Sequence, residues 1–339
     1  MIIKKKKILV VSRPGDEYVL DLVVHGLYKL EHTVIDLPRK ENYKLDPSKH
    51  MIGSRLPKHE FDLSKESDFD FCLVGNYEMI FKERGLDSDD TADQLAGYIT
   101  SNNIPVLAFN TEDFTVDYEE TWGRRYGDLV IAEFVREVPK TTESGVYTHN
   151  GLRKALQLSF KEELYKGFNE EPDFTCFASF SPHGGVGPAR AKRRMVVDYI
   201  SDMDGCMGYF HDRMKYDSYI NMLGNSLSSI SVRGGGWDSL RYWEIPGMGC
   251  LMISENVGKK IPIDNDFISE KDSILFDFEF SDDFEEKSPM DFLRGVLNKI
   301  SSNKDYANTL RKAGHEKVMA YHTTTKRAQF VIDTAVKAL

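Results

Sequence analysis

Metal-binding cysteine patterns, membrane-length apolar runs and an excess of positive charge are all missing from these 339 residues. Cys72, Cys176, Cys206 and Cys250 are scattered, with no CxxC pair and no Cys/His ligand spacing. That excludes a zinc module and leaves buried free thiols in a reducing compartment as the expectation. No stretch approaches the roughly 18 apolar residues of a membrane helix. The apolar run after Lys4–Lys7 is four residues long, too short for the core of a signal peptide, so a cytoplasmic protein without a membrane span is expected. The 44 basic against 54 acidic residues give a net charge of −10, which argues against a general nucleic-acid coat or an anionic membrane surface as the main partner. Internal repeats are absent, and low complexity is confined to an acidic patch at 277–286.

What is present is an alternation of short apolar strands with amphipathic segments, in a chain long enough for two domains. Residues 8–12 read as a buried strand and Arg13-Pro-Gly as a turn. The helix that follows, from near Asp16, carries Leu20, Val23, Val24, Leu27 and Leu30 at helical spacing. Thr33–Leu37 is a second strand, so the chain opens as a Rossmann-like half. Gly15 stands alone after the first strand, so the G-x-G-x-x-G fingerprint is missing and a dinucleotide site is not expected there. Residues 38–67 read as a long loop, 69–75, 104–109 and 129–134 as strands, and 91–102 as a helix. The ends of those strands would place Asp16, Asn76-Tyr77 and Asn110-Thr-Glu-Asp113 near the chemistry. Residues 139–151 read as a linker and Leu152 to about Tyr165 as a helix. Beyond it come a strand at 174–180, a glycine loop containing Gly185 and Gly187, and a helix from Pro188 to about Met203. A helix at 215–225, a short strand at 274–276 and helices at 292–300, 306–320 and 323–338 complete the pattern. His25, in mid-helix, and His322 read as structural groups rather than catalysts.

The chain is organised around Leu227 to Glu255, which reads as strand (227–232), glycine loop (233–238), short helix (239–248) and buried strand (250–254). Asp238 has the side chain of a helix N-cap, and the glycines before it allow a sharp turn or a close approach to a ligand. Arg241 and Glu244 share a face of the helix, either as a surface ion pair or as groups that read a nucleotide at the mouth of a parallel sheet. The run Arg233-Gly-Gly-Gly-Trp-Asp-Ser-Leu-Arg241 with Trp243-Glu244 and Gly247-Met-Gly249 resembles the donor-site motif of GT-B glycosyltransferases. The closest look is to the spore-maturation-type and exostosin-like groups, and the likeness runs from roughly Phe174 to Asp333. Pro246, inside the helix, departs from that pattern.

The resemblance implies an α/β fold of two Rossmann-like domains with parallel sheets facing a central cleft. Residues 1–150 would form an acceptor-side domain, 151–321 a nucleotide-sugar-binding domain, and 322–339 a helix packing back on the first. It implies that Glu244 binds ribose hydroxyls and that basic residues hold the donor diphosphate. Arg190 and Arg194 share a helix face where an anion would offset their conflict with the helix dipole, and they join Arg241 as the diphosphate candidates. The expected donor site is therefore Gly185, Gly187, Arg190, Arg194, Arg233, Gly235, Gly236, Trp237, Asp238, Arg241 and Glu244. Electrostatic neutralisation by these cations requires no metal or cofactor, and Asp202-Met-Asp204 follows a helix rather than a strand end. Asp16 is the candidate base if the sugar carbon is inverted, with Glu112 and Asp113 behind it. The expected partners are a nucleotide sugar and a carbohydrate or other hydroxyl acceptor. DNA glucosyltransferases share the fold, so a hydroxymethylated DNA base is a second acceptor, to be met by Lys4–Lys7, Arg39-Lys40, Lys49, Arg55, Lys58 and Arg124-Arg125. A dinucleotide-dependent oxidoreductase using Gly185-Val-Gly187, or a non-enzymatic nucleotide-sugar-binding module, are the alternatives.

Overall fold

Apolar residues run without interruption through Ile8-Leu-Val-Val11 and Phe71-Cys-Leu-Val74, the pattern of strands covered on both faces. In the computed structural model, which describes residues 4–12, 18–37, 68–75, 90–111, 126–137, 153–180, 188–209, 214–234, 236–276 and 288–339, both are central strands. The chain divides into two units, Met1–Gln157 with Thr324–Leu339, and Leu158–Thr323. The loop expected at 38–67, the linker at 139–151 and the acidic patch lie outside the described residues.

The first unit contains β1 (Lys7–Val11), α1 (Tyr18–Lys29), β2 (Thr33–Leu37), β3 (Phe71–Val74), α2 (Asp90–Ser101), β4 (Val106–Asn110), β5 (Val130–Val135) and β6 (Arg153–Ala155). All pairings are parallel, in the order β2-β1-β3-β4-β5-β6. The core on one face joins Leu9, Cys72, Val74, Val106 and Ala108 to Leu95, Ala96 and Ile99 of α2. The last helix of the chain (Thr324–Ala338) belongs to this unit and packs along α1. Its Phe330 meets Phe134 of β5 edge-on, with ring centroids 6.0 Å apart. Contact at the start of that helix depends on Gly26, where a Cβ would stand 2.1 Å from the Thr324 carbonyl oxygen. His25 beside it is buried, and its Nδ1 lies 2.9 Å from Thr324 Oγ1, so its role is structural as the sequence suggests.

The second unit contains β7 (Phe174–Ser179), α3 (Pro188–Ser201), β8 (Cys206–Tyr209), α4 (Tyr216–Gly224), β9 (Ser226–Ser231), α5 (Leu240–Gly247), β10 (Leu251–Glu255), β11 (Ile274–Phe276), α6 (Ser288–Ser302) and α7 (Lys304–Tyr321), after which the chain returns to the first unit as α8 (Thr324–Ala338). Its five strands are again parallel, in the order β11-β10-β9-β7-β8. Cys176, Ala178, Ile230, Leu251 and Ile253 pack against Val196, Val197 and Ile200 of α3 and Leu293, Val296 and Leu297 of α6.

Two elements differ from the sequence expectation. The described part of the helix expected from Leu152 to Tyr165, residues 153–165, forms no α-helix. Arg153–Ala155 adds β6 to the first sheet, with Arg153 Nε 3.3 Å from Glu133 Oε2, and a single 3-10 turn follows at Glu162–Leu164. Leu156, Leu158 and Phe160 set apolar side chains at every second position, the spacing of extended chain, and the whole stretch 156–160 is buried. The short β8, with Gly208 in its middle, carries too weak a strand signal to be read from sequence.

Gly26→Ala is expected to cost about 1–3 kcal/mol through overpacking. Gly97→Ala, on α2 with nothing within 4 Å of the new methyl, is expected to stabilise by roughly 0.5–1 kcal/mol. Urea unfolding of both variants checks the contrast, and equal effects would contradict the close approach at Gly26.

Candidate functional site

Strand order fixes where a ligand can be read in the second unit. From β7 the chain goes to one side for β8 and to the other for β9, so the switch point lies at the carboxyl ends of β7 and β9. Phe180 follows β7, and Val232-Arg233 follows β9. Two guanidinium groups stand over the Phe180 ring, Arg193 at 5.6 Å and Arg241 at 5.0 Å from its centroid. Arg241 Nε donates to the Ser179 carbonyl at 2.9 Å, and Arg193 Nε donates to the Arg233 carbonyl at 3.1 Å. Arg233 lies over the Trp237 ring at 4.2 Å, which also carries Lys260 at 5.3 Å. Glu255, at the end of β10, supplies counter-charge. Its Oε2 accepts the Arg233 N–H at 2.6 Å and its Oε1 is 3.7 Å from Lys192 Nζ.

Arg193 is the informative member, being only 4% exposed. Burial first, and Arg241 second, push its pKa down to about 9, while Glu255 pulls it upward. A guanidinium keeps its proton in proteins. The shift therefore reports mainly the cost of burying the charge, to which the like charge of Arg241 adds, and an anion placed among Arg193, Arg233 and Arg241 would offset both. Gly234 completes the packing, because a Cβ there would lie 2.6 Å from Arg193 Nη2.

Arg241 and Glu244 are both on α5, but they do not form a surface ion pair. Glu244 is 3% exposed and its Oε1 accepts the Tyr216 hydroxyl at 2.8 Å. Burial raises the carboxyl pKa above its ordinary value, against the lowering effects of Tyr216, Arg241, Tyr219 and Lys161. Pro246 is accommodated in the last turn of the helix, whose Met248 N–H still reaches the Glu244 carbonyl at 2.9 Å.

Asp238 differs from its expected part. The residue that caps α5 is Ser239, without a side-chain bond, and Asp238 is wholly buried. Its Oδ2 accepts the Leu158 N–H at 2.7 Å and its Oδ1 the Trp243 Nε1–H at 2.6 Å. A buried carboxylate needs such donors, and these engage both oxygens in bracing the loop. On α3, Arg190 is exposed, and Arg194 is exposed and forks onto Asp198. The residue of this helix that the structure puts beside Arg241 is Arg193, a member of the basic cluster Arg190, Lys192, Arg193 and Arg194 within which the sequence favours Arg190 and Arg194. The signal was available, since Arg193, Val196, Val197 and Ile200 form the buried stripe of α3 at helical spacing. Phe180, Tyr216 and Glu255 were also missed. Gly236 is buried and Trp237 half-buried, whereas Asp16, Gly185, Gly187 and Gly235 lie outside the described residues. So do Glu112, Asp113 and most of the basic residues considered for DNA.

Lys4–Lys7 stands at the opposite, amino-terminal edge of its own sheet. Lys5 pairs with Glu31 at 2.7 Å, Lys6 with Asp70 at 2.8 Å, and Lys7 covers Phe69. His322 is buried against Trp243, with centroids 4.6 Å apart, which is the core contact the sequence suggests. Among the described residues no cluster of three or more His, Cys, Asp or Glu could hold a metal ion, and no helix is long and apolar enough to cross a membrane.

These two all-parallel sheets with their helices make an α/β fold that matches the structures of GT-B glycosyltransferases. Particular structures with this fold include Anabaena Alr3699/HepE in complex with UDP and glucose, 9% identical with a TM-score of 0.60 over 98% of this chain and 100% of that one. An alpha-glucosyltransferase in complex with UDP-glucose and DNA containing an abasic site is 11% identical, with a TM-score of 0.57 over 98% of this chain and 100% of that one. No protein-family model matches the sequence, and neither does any curated protein.

Replacing Asp238 by Ala strips two buried donors of their acceptor, and at about 1–3 kcal/mol for each unsatisfied group it should lower stability by roughly 2–6 kcal/mol. A urea midpoint close to that of the unaltered protein would show that the carboxylate does not brace the loop.

Proposed function

We propose that the protein is a glycosyltransferase that takes a sugar from a nucleotide-sugar donor bound to the second unit. The observation that carries this reading is the group of buried and half-buried guanidiniums, Arg193, Arg233 and Arg241, gathered at the switch point of a parallel sheet. When the glycosidic bond to the donor breaks, negative charge grows on the departing diphosphate. Cations fixed in a partly desolvated site stabilise that charge without reorganising. The reaction is in this reading independent of a metal and a cofactor. Glu244 accepts hydrogen bonds from the donor ribose, as the motif's likeness to the spore-maturation-type and exostosin-like groups implies. UDP-glucose is the first donor to test, because the similar structures hold UDP or UDP-glucose. Asp16 is the proposed base for an inverting reaction. Four free cysteines, three of them buried, suit a cytoplasmic setting.

The acceptor in this reading is a hydroxyl of a carbohydrate or small molecule. A hydroxymethylated base in duplex DNA is the second reading, favoured by the structural likeness to the DNA-bound glucosyltransferase. Against it, Lys5 and Lys6 are paired with acids. Tight, salt-sensitive binding to hydroxymethylated duplex in a filter assay, with sugar transfer to it, would reverse that order.

Calorimetry with UDP and with uridine tests the cation group. Arg193→Ala and Arg241→Ala should each cost about 1.5–3 kcal/mol of UDP binding, the range for a charge-assisted hydrogen bond, and leave uridine binding nearly unchanged. Equal losses for both ligands would remove the diphosphate role. Release of glucose from UDP-glucose, measured within a panel of donors, then separates an enzyme from a binding module.

A further inference from the structure

We propose that Tyr216 is a positioning residue for the donor site, its hydroxyl holding Oε1 of Glu244 so that the buried carboxylate stays ionised and fixed as an acceptor for the ligand. This rests on the reading of Glu244 as the group that meets the donor ribose.

Glu244 sits one turn along α5 from Arg241 and is 97% removed from solvent, being 3% exposed. A carboxylate so placed favours its neutral form unless donors or cations face it. The groups that do so come from three elements. Tyr216 of α4 donates at 2.8 Å. Tyr219, one turn further along α4, favours the charged carboxylate too, although its buried hydroxyl falls short of a closed hydrogen bond. Arg241 of α5 and Lys161, which precedes the 3-10 turn at Glu162–Leu164, act at longer range. Glu163 of that turn acts on Tyr216 itself, in the sense of keeping its phenol protonated. Burial raises the pKa of both tyrosines, and Glu244 adds to the rise, so each hydroxyl keeps its proton to donate.

Tyr216 and Tyr219 are also held as a stacked pair, with centroids 6.2 Å apart, and Tyr219 packs on Phe177 of β7. The phenol that fixes Glu244 is thereby anchored to the strand that leads to Phe180 and the guanidinium group. Geometry alone makes Tyr216 the tightest restraint on Glu244 among the described residues, since its hydroxyl completes a hydrogen bond to the carboxylate and that of Tyr219 does not.

Removing the Tyr216 hydroxyl takes away a donor to the charged form, so the carboxyl pKa must rise and its proton must be lost at higher pH. Protonation of Glu244 replaces an acceptor by a donor, so ligand affinity falls as pH falls through that pKa. A rise of one unit weakens binding by up to about tenfold, a limit approached at pH values below both carboxyl pKa values and absent above both.

The experiment measures two quantities on the full chain. Carbon-13 NMR of glutamate-labelled protein, with Glu244→Gln to assign the signal, follows the carboxyl titration without ligand. Calorimetry follows UDP affinity across the same pH series. Tyr216→Phe should move the Glu244 titration to higher pH, weaken UDP about tenfold at the acid end and recover to within about twofold at the alkaline end. In a Glu244→Gln background, where nothing is left to titrate, adding Tyr216→Phe should change UDP affinity by less than about twofold. An unmoved Glu244 titration, or a UDP loss in Tyr216→Phe that is the same at every pH, overturns the proposal. Glu244→Gln that binds UDP as the unaltered protein does would instead overturn the reading of Glu244, with the titration still deciding the part played by Tyr216.

Discussion

Like charges brought together out of water repel, and the second unit is built to hold guanidinium groups together regardless. Arg193 and Arg241 both stand over one phenyl ring, and each is tied by its Nε to a main-chain carbonyl, that of Arg233 in the loop after β9 and that of Ser179 at the end of β7. The arginines are thus fixed by backbone rather than by acidic partners that would neutralise them. Glu255 moderates the potential without cancelling it, since one of its oxygens is engaged by the Arg233 N–H. Binding an anion there asks for little rearrangement, which is the condition under which fixed charges stabilise a leaving group.

The fold serves this arrangement through small residues and through strand order. Ser226, Ser228, Ser229 and Ser231 of β9 and Ser254 of β10 are all buried. Ser226 and Ser228 return their hydroxyls to main-chain carbonyls of Met222 and Thr175, so those two are satisfied, whereas Ser254 Oγ meets no hydrogen-bond partner among the described residues. Strands of this kind occupy little volume beside the sheet, and α5 packs closely on β9 and β10 with Tyr242, Trp243, Glu244 and Ile245 all buried. Glu244 is consequently a core residue that needs its own donor, and Tyr216 supplies it.

Much of this was legible in the sequence because it rests on local period. Continuous apolar runs at Ile8–Val11 and Leu251–Ile253 and the helical spacing in α1 come through as strands and helix. The glycine loop, Arg241 and Glu244 stand out because their residue types are unusual together. What was missed depends on long-range packing. Arg193 and Arg194 are adjacent and chemically identical, and only the buried stripe that continues to Val196, Val197 and Ile200 tells them apart. Residues 152–165 are rich in helix formers, yet the pairing of Arg153 with Glu133 across β5 and β6 decides for strand. Asp238 has an N-cap's side chain in an N-cap's position, and its acceptors were instead claimed by Leu158, 80 residues away in the chain, and by Trp243.

That last contact explains why a run of glycines need not be a loose loop. Leu158 opens the segment by which the chain enters the second unit, and His322 and Thr323 close the segment by which it leaves. The two lie side by side, with the Phe160 N–H on the His322 carbonyl at 2.9 Å and a parallel bridge between Phe160 and Thr323. Asp238 grips the entering segment, while Trp243, bonded to the same carboxylate, stacks on His322 of the leaving one. Gly236 and Trp237 therefore stand next to a residue fixed by both segments, and Gly234 is packed under Arg193 on the other side. Glycine is needed at 234 for that close approach. A backbone held in this way can keep Arg233 and its carbonyl in place for Arg193 before any ligand arrives.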